Sequence, residues 1–479
     1  MKEKEVVVVS GSIEDIITEM KNKTVELIPW GTLVREYDPS LHEIVTNKRL
    51  RPDKKKATGG YEKVARVTYG QQKLAARRMT QMAFSIPVKR LYDTGTDPVK
   101  IAQAQALEAI YREARINSQN IKRMNAYFAS CEIATVWFPV PKPNDNYGFK
   151  SEFELRCKTF TPMQKKFSRI ECAELFPIFD KYGDMTTMGF GYTYTEKGQT
   201  VEYFELYTKE QKFVYKKGNN GWEDTGDVSP VVIGKHPLAY LSRPIPIWEG
   251  TTNNTQEVEF ALSRESDIIK KNSAPLVKVK GKLLNNANVE SDAAREVYQL
   301  EGDGDVSYVT WTQQIDAMKF FIQTLKQNTE EELQLPNLSM ENIKGMGVVS
   351  GESRKTLLTD AHLKVGDESG DIIEFFDREC NIIKAFLGQM NSKWKESIRD
   401  LKVSHLITPF IQNDEAADID KFTKATGGKA IMSQIKAVKM VGFCETQAEI
   451  DEEIKALADE ASAEADMASK KNVFEQGSL

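Results

Sequence analysis

The chain has 479 residues, 40% of them hydrophobic and 28% charged, and a formal net charge of −5. That length suits about three domains that bury roughly three quarters of the unfolded surface. So small a net charge speaks against a protein that coats nucleic acid, while leaving room for local basic surfaces.

The five cysteines (Cys131, Cys157, Cys172, Cys380 and Cys444) are scattered and form no CxxC pair. Neither a disulfide framework nor a zinc site is suggested, and folding in a reducing, intracellular compartment is expected. The four-valine run in MKEKEVVVVSGS is too short for a signal-peptide core. Apolar stretches such as ATVWF fall far below the ~20 residues of a membrane helix, so a soluble protein with no membrane partner is expected.

In chain order, SIEDIITEM opens with Ser12 and Asp15 at capping-box spacing and predicts a short helix. The basic stretch from Asn47 to Tyr61 reads as a solvated loop. QQKLAARRMTQMAF reads as a helix stopped by Pro87. A longer helical pattern runs from Pro98 to Cys131 with a break near Asn117, followed by a strand over Ile133 to Val140. Between Phe153 and Tyr240, β-branched and aromatic residues alternate with polar ones around Gly-containing turns, which predicts an antiparallel meander.

The proline-rich connector His236 to Trp248 marks the clearest domain boundary. Beyond it, Asn254 or Thr255 can cap a helix whose apolar face is Val258, Leu262, Ile268 and Ile269. LVKVKGKLL alternates strictly, putting Val277 and Val279 on one face of a short strand and Lys278, Lys280 and Lys282 on the other. That basic face suits DNA, an acidic partner or a lysine-guarded sheet edge. A second helix carries Ile315, Met318, Ile322, Leu325 and Leu333.

LQLPNLSMENIKGMGVVSGES then reads as a loop. From Leu357 to Ile398 one apolar stripe covers about forty residues, about 60 Å of helix. Gly366 and Gly370 are expected to bend or weaken it. A strand, LKVSHLITPF, follows. Two short helices come next, the first capped by Ser433 and ended by Gly442, the second opened by Thr446 and Glu449. The tail lacks large apolar residues and is expected to be disordered.

No catalytic constellation stands out. GMGVVSGESRKTLL lacks a phosphate-binding loop's lysine, because Glu352 follows Gly351. His42, His236, His362 and His405 stand alone without metal-ligand spacing, and no GxSxG elbow occurs. Acidic runs such as EIDEEI read as solvated helix faces. No enzyme, cofactor or metal is expected, and a structural or assembly role is favoured.

Several stretches resemble the portal (head-to-tail connector) proteins of tailed double-stranded DNA bacteriophages. YGQQKLAARRMTQMAFSIPVKRLY is similar to that family's early helix, and HPLAYLSRPIPIWE to the strand that enters its first stem helix. The run from Asp305 to Lys364 matches a strand, a second stem helix, a proline-containing tunnel loop and a Ser-Gly step into a long helix. It departs from the family at Glu352, Ser353 and Arg354, where small apolar residues are usual. Asp414, Gly427, Gly428, Ser433, Gly442 and the run Glu449 to Glu453 fit the family's helical crown.

The resemblance implies an α+β portal-like fold. It implies a mixed α/β wing at 1–250 with its meander at 153–240, a first stem helix at 251–271 and a clip at 272–312. A second stem helix at 313–334 and a tunnel loop at 335–350 follow. The long helix and return strand of the wing at 351–411, a crown at 412–460 and a flexible tail at 461–479 complete it.

The same resemblance implies a homo-oligomeric ring, usually of twelve subunits, with double-stranded DNA in its channel. Its partners would be the packaging ATPase (terminase large subunit), the major capsid protein and a tail adaptor. Its place would be a capsid vertex of the virion, after assembly in the host cytoplasm.

Lys319, Lys326, Lys344, Arg354 and Lys355 are then candidates to approach DNA, or ordinary solvated and inter-subunit charges. Lys278, Lys280 and Lys282 are candidates for partner docking at the clip. The second stem helix sets Lys319 and Lys326 against Asp316, Glu330, Glu331 and Glu332. That net acidic wall suits sliding DNA, since each neutralised phosphate strengthens binding with a log–log salt slope of about −0.9. The alternatives are another ring-forming virion adaptor, or a metal-dependent nucleic-acid enzyme using dispersed carboxylates.

Overall fold

A computed structural model of the chain describes residues 12–22, 27–56, 59–163, 170–196, 198–272, 276–280, 283–285, 299–300, 305–309, 315–335, 358–410, 422–427, 432–441, 450–460 and 462–463. The chain divides into two compact units, one of residues 1–337 and 360–410 and one of 338–359 and 411–479. The architecture is mixed α+β.

The first unit opens with α1 (Ile13–Asn22), α2 (Trp30–Tyr37) and α3 (Glu43–Thr46). Ser12 caps α1 as its spacing predicts: its Oγ accepts from Asp15 N at 3.3 Å and donates to Asp15 Oδ2 at 2.6 Å. The basic stretch read as a loop contains a small exposed ladder instead, β1 (Lys54–Lys55) against β2 (Tyr61–Glu62). Gly59 and Gly60, both at positive φ, supply the left-handed turn that reverses the chain between them.

Next come α4 (Gln71–Phe84), β3 (Lys89–Tyr92), α5 (Pro98–Glu113) and α6 (Ile116–Ser130). Asp97 caps α5 by accepting from Val99 N at 2.9 Å, and Pro98 fills the first turn, where no amide donor is needed. The break expected near Asn117 falls earlier, at Arg115, whose φ is 53°.

The β-rich stretch forms two sheets rather than one meander. Its strands are β4 (Glu132–Asn144), β5 (Ser151–Thr161), β6 (Ile170–Cys172), β7 (Glu174–Phe179), β8 (Met185–Glu196), β9 (Gln199–Tyr207), β10 (Gln211–Gly218), β11 (Gly221–Asp224), β12 (Ser229–Pro230) and β13 (Leu238–Ser242). A true antiparallel meander runs β7-β8-β9-β10-β11, with β12 added to β10. The other sheet has the order β13-β4-β5-β6, and β6 joins β5 in parallel.

Alternation along β9 sends Phe204 and Leu206 to a core with Ile16, Ile17 and Met20 of α1. Tyr207 turns to the opposite face, where Phe160 and Phe190 join the two sheets with ring centroids 4.4 Å apart. Strand β4 extends past its expected end at Val140, although it carries Pro139, Pro141 and Pro143. The amide of Trp137 points to the β13 side, bonding Pro237 O at 2.8 Å. Pro139 and Pro141 share that side beyond the end of β13, so their missing donors cost no ladder bond, and Pro143 falls where the register with β5 shifts.

After the connector, α7 (Thr252–Asn272) leads into β14 (Leu276–Lys280) and β15 (Leu283–Asn285). Then β16 (Gln299–Leu300) and β17 (Asp305–Val309) lead into α8 (Ile315–Leu333). β14 pairs antiparallel with β17, and β15 with β16. Asn254 and Thr255, expected as caps, lie inside the first turn of α7, where Thr255 Oγ1 donates back to Thr251 O at 3.1 Å.

The long apolar stripe is one helix only as far as α9 (Thr359–Met390), which runs unbroken through Gly366 and Gly370. A Cβ at either glycine would meet nothing within 4 Å, so neither position needs glycine for close packing. The helix instead stops at Asn391, and the chain folds back so that Lys395 Cα would lie 3.3 Å from a Cβ on Gly388. Trp394 and Ile398 therefore belong to the returning chain, and β18 (Val403–Leu406) closes on β3.

In the second unit, residues 422–426 and 450–460 are helical, as is α10 (Gln434–Val441). Ser433 caps α10 as expected, accepting from Lys436 N at 3.3 Å. Gly442, Thr446 and Glu449 lie outside the described residues.

Candidate functional site

The two helices flanking the β14–β17 ladder form an antiparallel pair. Asn254 near the start of α7 bonds Glu332 near the end of α8 at 3.3 Å. Midway, Val258 and Ala261 pack on Ile322, with Leu262, Leu325 and Tyr69 around them. Lys364 of α9 donates to Leu333 O at 2.6 Å, placing a cation on the last carbonyls of α8.

The outward faces of this pair are apolar in part. Phe320 is 71% exposed, Ile269 59% and Phe321 46%. Ile269, read as part of the apolar face of α7, thus faces outward. Large exposed side chains clustered on one element mark an interaction surface better than isolated ones do.

The opposite side of α7 is fastened to the N-terminal region by an arrangement that residue spacing did not reveal. Residues 65–69 lie along the helix, and every second backbone amide bonds a side chain one helical turn further on. Ala65 N donates to Asp267 Oδ1 at 2.8 Å, Val67 N to Ser263 Oγ at 2.7 Å and Tyr69 N to Glu259 Oε1 at 2.6 Å. The match is geometric, since two extended residues advance about 6.6 Å and four helical residues about 6 Å.

Each end of this ladder is reinforced. Arg51 pairs with Asp267 and also donates to Ser263 O at 3.2 Å. At the other end His42 Nδ1 lies 2.5 Å from Glu259 Oε1. The Glu36 carboxylate receives Trp248 Nε1 at 2.8 Å and Thr252 Oγ1 at 3.3 Å at the start of α7. The only advance signal was Glu259, Ser263 and Asp267 at four-residue spacing on one helix face.

A second polar cluster ties α9 to the sheets. Buried Arg123 meets buried Glu379 through two parallel contacts of 2.7 Å. Glu379 also accepts from Trp137 Nε1 at 3.0 Å, and Arg123 Nε donates to Asn120 Oδ1 at 2.9 Å. Phe375 and Phe376 lie under the guanidinium at 5.0 and 5.4 Å. Nothing in the sequence paired these residues, which are far apart in the chain.

The anticipated site residues are not gathered into one place. Lys319 is exposed on α8. Lys326, two turns on, is half-buried with its Nζ 5.0 Å from the Tyr69 ring centroid, so it links α8 to the segment at 65–69. On β14, position 278 pairs with Ser307, while Lys280 is exposed and pairs with Asp305. Lys282, Lys344, Arg354 and Lys355 lie outside the described residues.

The histidines are held by the fold. His405 Nδ1 lies 2.7 Å from Asp377 Oδ1, and His362 Nε2 3.1 Å from Phe410 O. Burial pushes His236 down to about 4. Among the described residues no group of His, Cys, Asp or Glu side chains is arranged to hold a metal ion, and no helix is long and apolar enough to cross a membrane. Among the described residues Cys131, Cys157, Cys172 and Cys380 form no disulfide.

No curated protein sequence matches the chain. Among solved structures it is similar to a chain from "Neck of empty GTA particle computed with C6 symmetry", with 11% identity, a TM-score of 0.41 and coverage of 90% of this chain and 99% of that one. A chain from "Virion of native gene transfer agent (GTA) particle" has 10% identity and a TM-score of 0.37, with the same coverages. The family described as "Phage portal protein, SPP1 Gp6-like" matches residues 32–467. The chain therefore belongs to the phage portal protein family, SPP1 Gp6-like, a family of structural connectors rather than enzymes.

Proposed function

We propose that copies of this chain form a ring of twelve subunits at one capsid vertex, and that double-stranded DNA enters and leaves the capsid through its channel. The observation that carries this reading is the family match over residues 32–467. An antiparallel helix pair with apolar side chains left outside, Phe320, Phe321 and Ile269, is what a wall of repeated subunits needs. In a ring each such face meets a neighbour, so a surface too apolar for a monomer becomes a contact.

On this reading residues 1–250 are the wing, with 351–411 returning to it. α7 and α8 are the stem (251–271 and 313–334), 272–312 the clip, 335–350 the tunnel loop, 412–460 the crown and 461–479 the tail. The clip would dock the packaging ATPase and later a tail adaptor, with Lys278, Lys280 and Lys282 presenting cations there. Lys319 would approach DNA from the stem, and Lys344, Arg354 and Lys355 from the loop. Lys326, committed to Tyr69, drops from that set. The ring would contact the major capsid protein, act in the virion after assembly in the host cytoplasm, and carry no catalytic activity or cofactor of its own.

The proposal is tested by light scattering on the purified chain beside the double variant Phe320→Glu/Phe321→Glu. The wild type is expected to run as a large oligomer and the variant to shift to smaller species. An oligomer that survives both substitutions would remove the stem face from the assembly contact.

A further inference from the structure

We infer that one proton shared by His42 and Glu259 pins the first stem helix to the N-terminal segment, making this joint sensitive to pH. His42 Nε2 lies 2.8 Å from the backbone carbonyl of Glu36, which can only accept, so Nε2 must carry a proton. His42 Nδ1 lies 2.5 Å from Glu259 Oε1, and a neutral imidazole has no second proton to offer there. That contact therefore holds a proton of its own, on the ring or on the carboxyl. Without it, two lone pairs would face each other in a site where both side chains are at most 5% exposed.

Glu259 Oε1 is already committed to Tyr69 N at 2.6 Å, so the carboxylate cannot turn away without breaking the ladder along residues 65–69. The charged groups around the pair favour keeping the proton. Asp38 acts on His42 from the preceding turn, with Lys73 of α4 acting on Asp38 in turn. The Glu36 carboxylate is engaged by Trp248 and Thr252, and Glu43 on α3 is exposed. Burial alone pushes His42 down, but Glu259 and the Glu36 carbonyl outweigh it and its pKa ends above the usual value.

The sign follows from that direction. A histidine whose pKa is higher in the folded chain stabilises the fold fully below its unfolded value, and the stabilisation fades as pH rises through the folded value. The joint is thus closed below the ordinary histidine value and loosens as pH rises through the raised value of the folded chain. This holds for the single chain and does not depend on ring assembly.

The test is hydrogen–deuterium exchange on the full chain from about pH 6 to about pH 9, normalised to the unfolded chain at each pH. In the wild type, protection of peptides covering 36–46 and 64–70 is expected to fall across the window. Peptides from β8 and β9 should show no such step. Glu259→Gln and His42→Gln should each abolish the step. A flat wild-type profile would overturn the proposal without reference to any variant, and so would a step that persists in either variant.

Discussion

A buried guanidinium and carboxylate are tolerable only when each satisfies the other, because the desolvation of either ion alone exceeds what one contact returns. Arg123 and Glu379 meet this condition with two parallel contacts and further bonds to Trp137, Asn120 and Thr135. Glu379→Ala would leave the guanidinium buried without its partner. We expect a loss of about 3–5 kcal/mol, read as a lower unfolding midpoint in urea.

Glu132 is the converse case, a largely buried carboxyl with a single hydroxyl donor, Tyr240 Oη at 2.9 Å. Burial pushes it up to about 7, against a smaller opposing effect of Tyr240. A carboxyl that binds its proton more tightly in the folded chain lends stability that is complete below the unfolded value and lost as pH rises through about 7. Glu132→Gln should flatten the fall in melting temperature between about pH 5 and about pH 8. An unchanged slope would show that Glu132 ionises freely in the fold.

At the scale of elements, the decisive feature is the ladder between residues 65–69 and α7. Its central rung is Ser263 Oγ, 2.7 Å from Val67 N. Ser263→Ala should leave that amide without its acceptor and cost about 1–3 kcal/mol. Faster amide exchange should appear at 64–70 and not in the meander. Equal exchange in both proteins would mean that the ladder does not hold the segment.

Elements with strong local signals were legible before any coordinates. The Ser12 and Ser433 caps, both long helices flanking the β14–β17 ladder, and the β7–β11 alternation all follow from residue spacing. What was not legible depended on contacts between distant residues. Residues 65–69 carry no period because their pattern is backbone, read by side chains on α7. The stripe to Ile398 looked like one helix because Ile398 packs back on the same core after the turn near Gly388, and periodicity cannot distinguish the two. The lysine candidates rest on charge and on their place along the chain, and neither reveals that Lys326 lies over Tyr69.

For the whole molecule, the family match covers residues 32–467, so nearly the entire chain belongs to a phage portal protein. The polar clusters described above join elements to one another and are buried, whereas Phe320, Phe321 and Ile269 stand out on the helix pair.

Electron micrographs of the purified full chain test this account most directly. They should contain rings with a central hole, of one size, across a range of salt and protein concentration. A chain that remains monomeric throughout that range would contradict it.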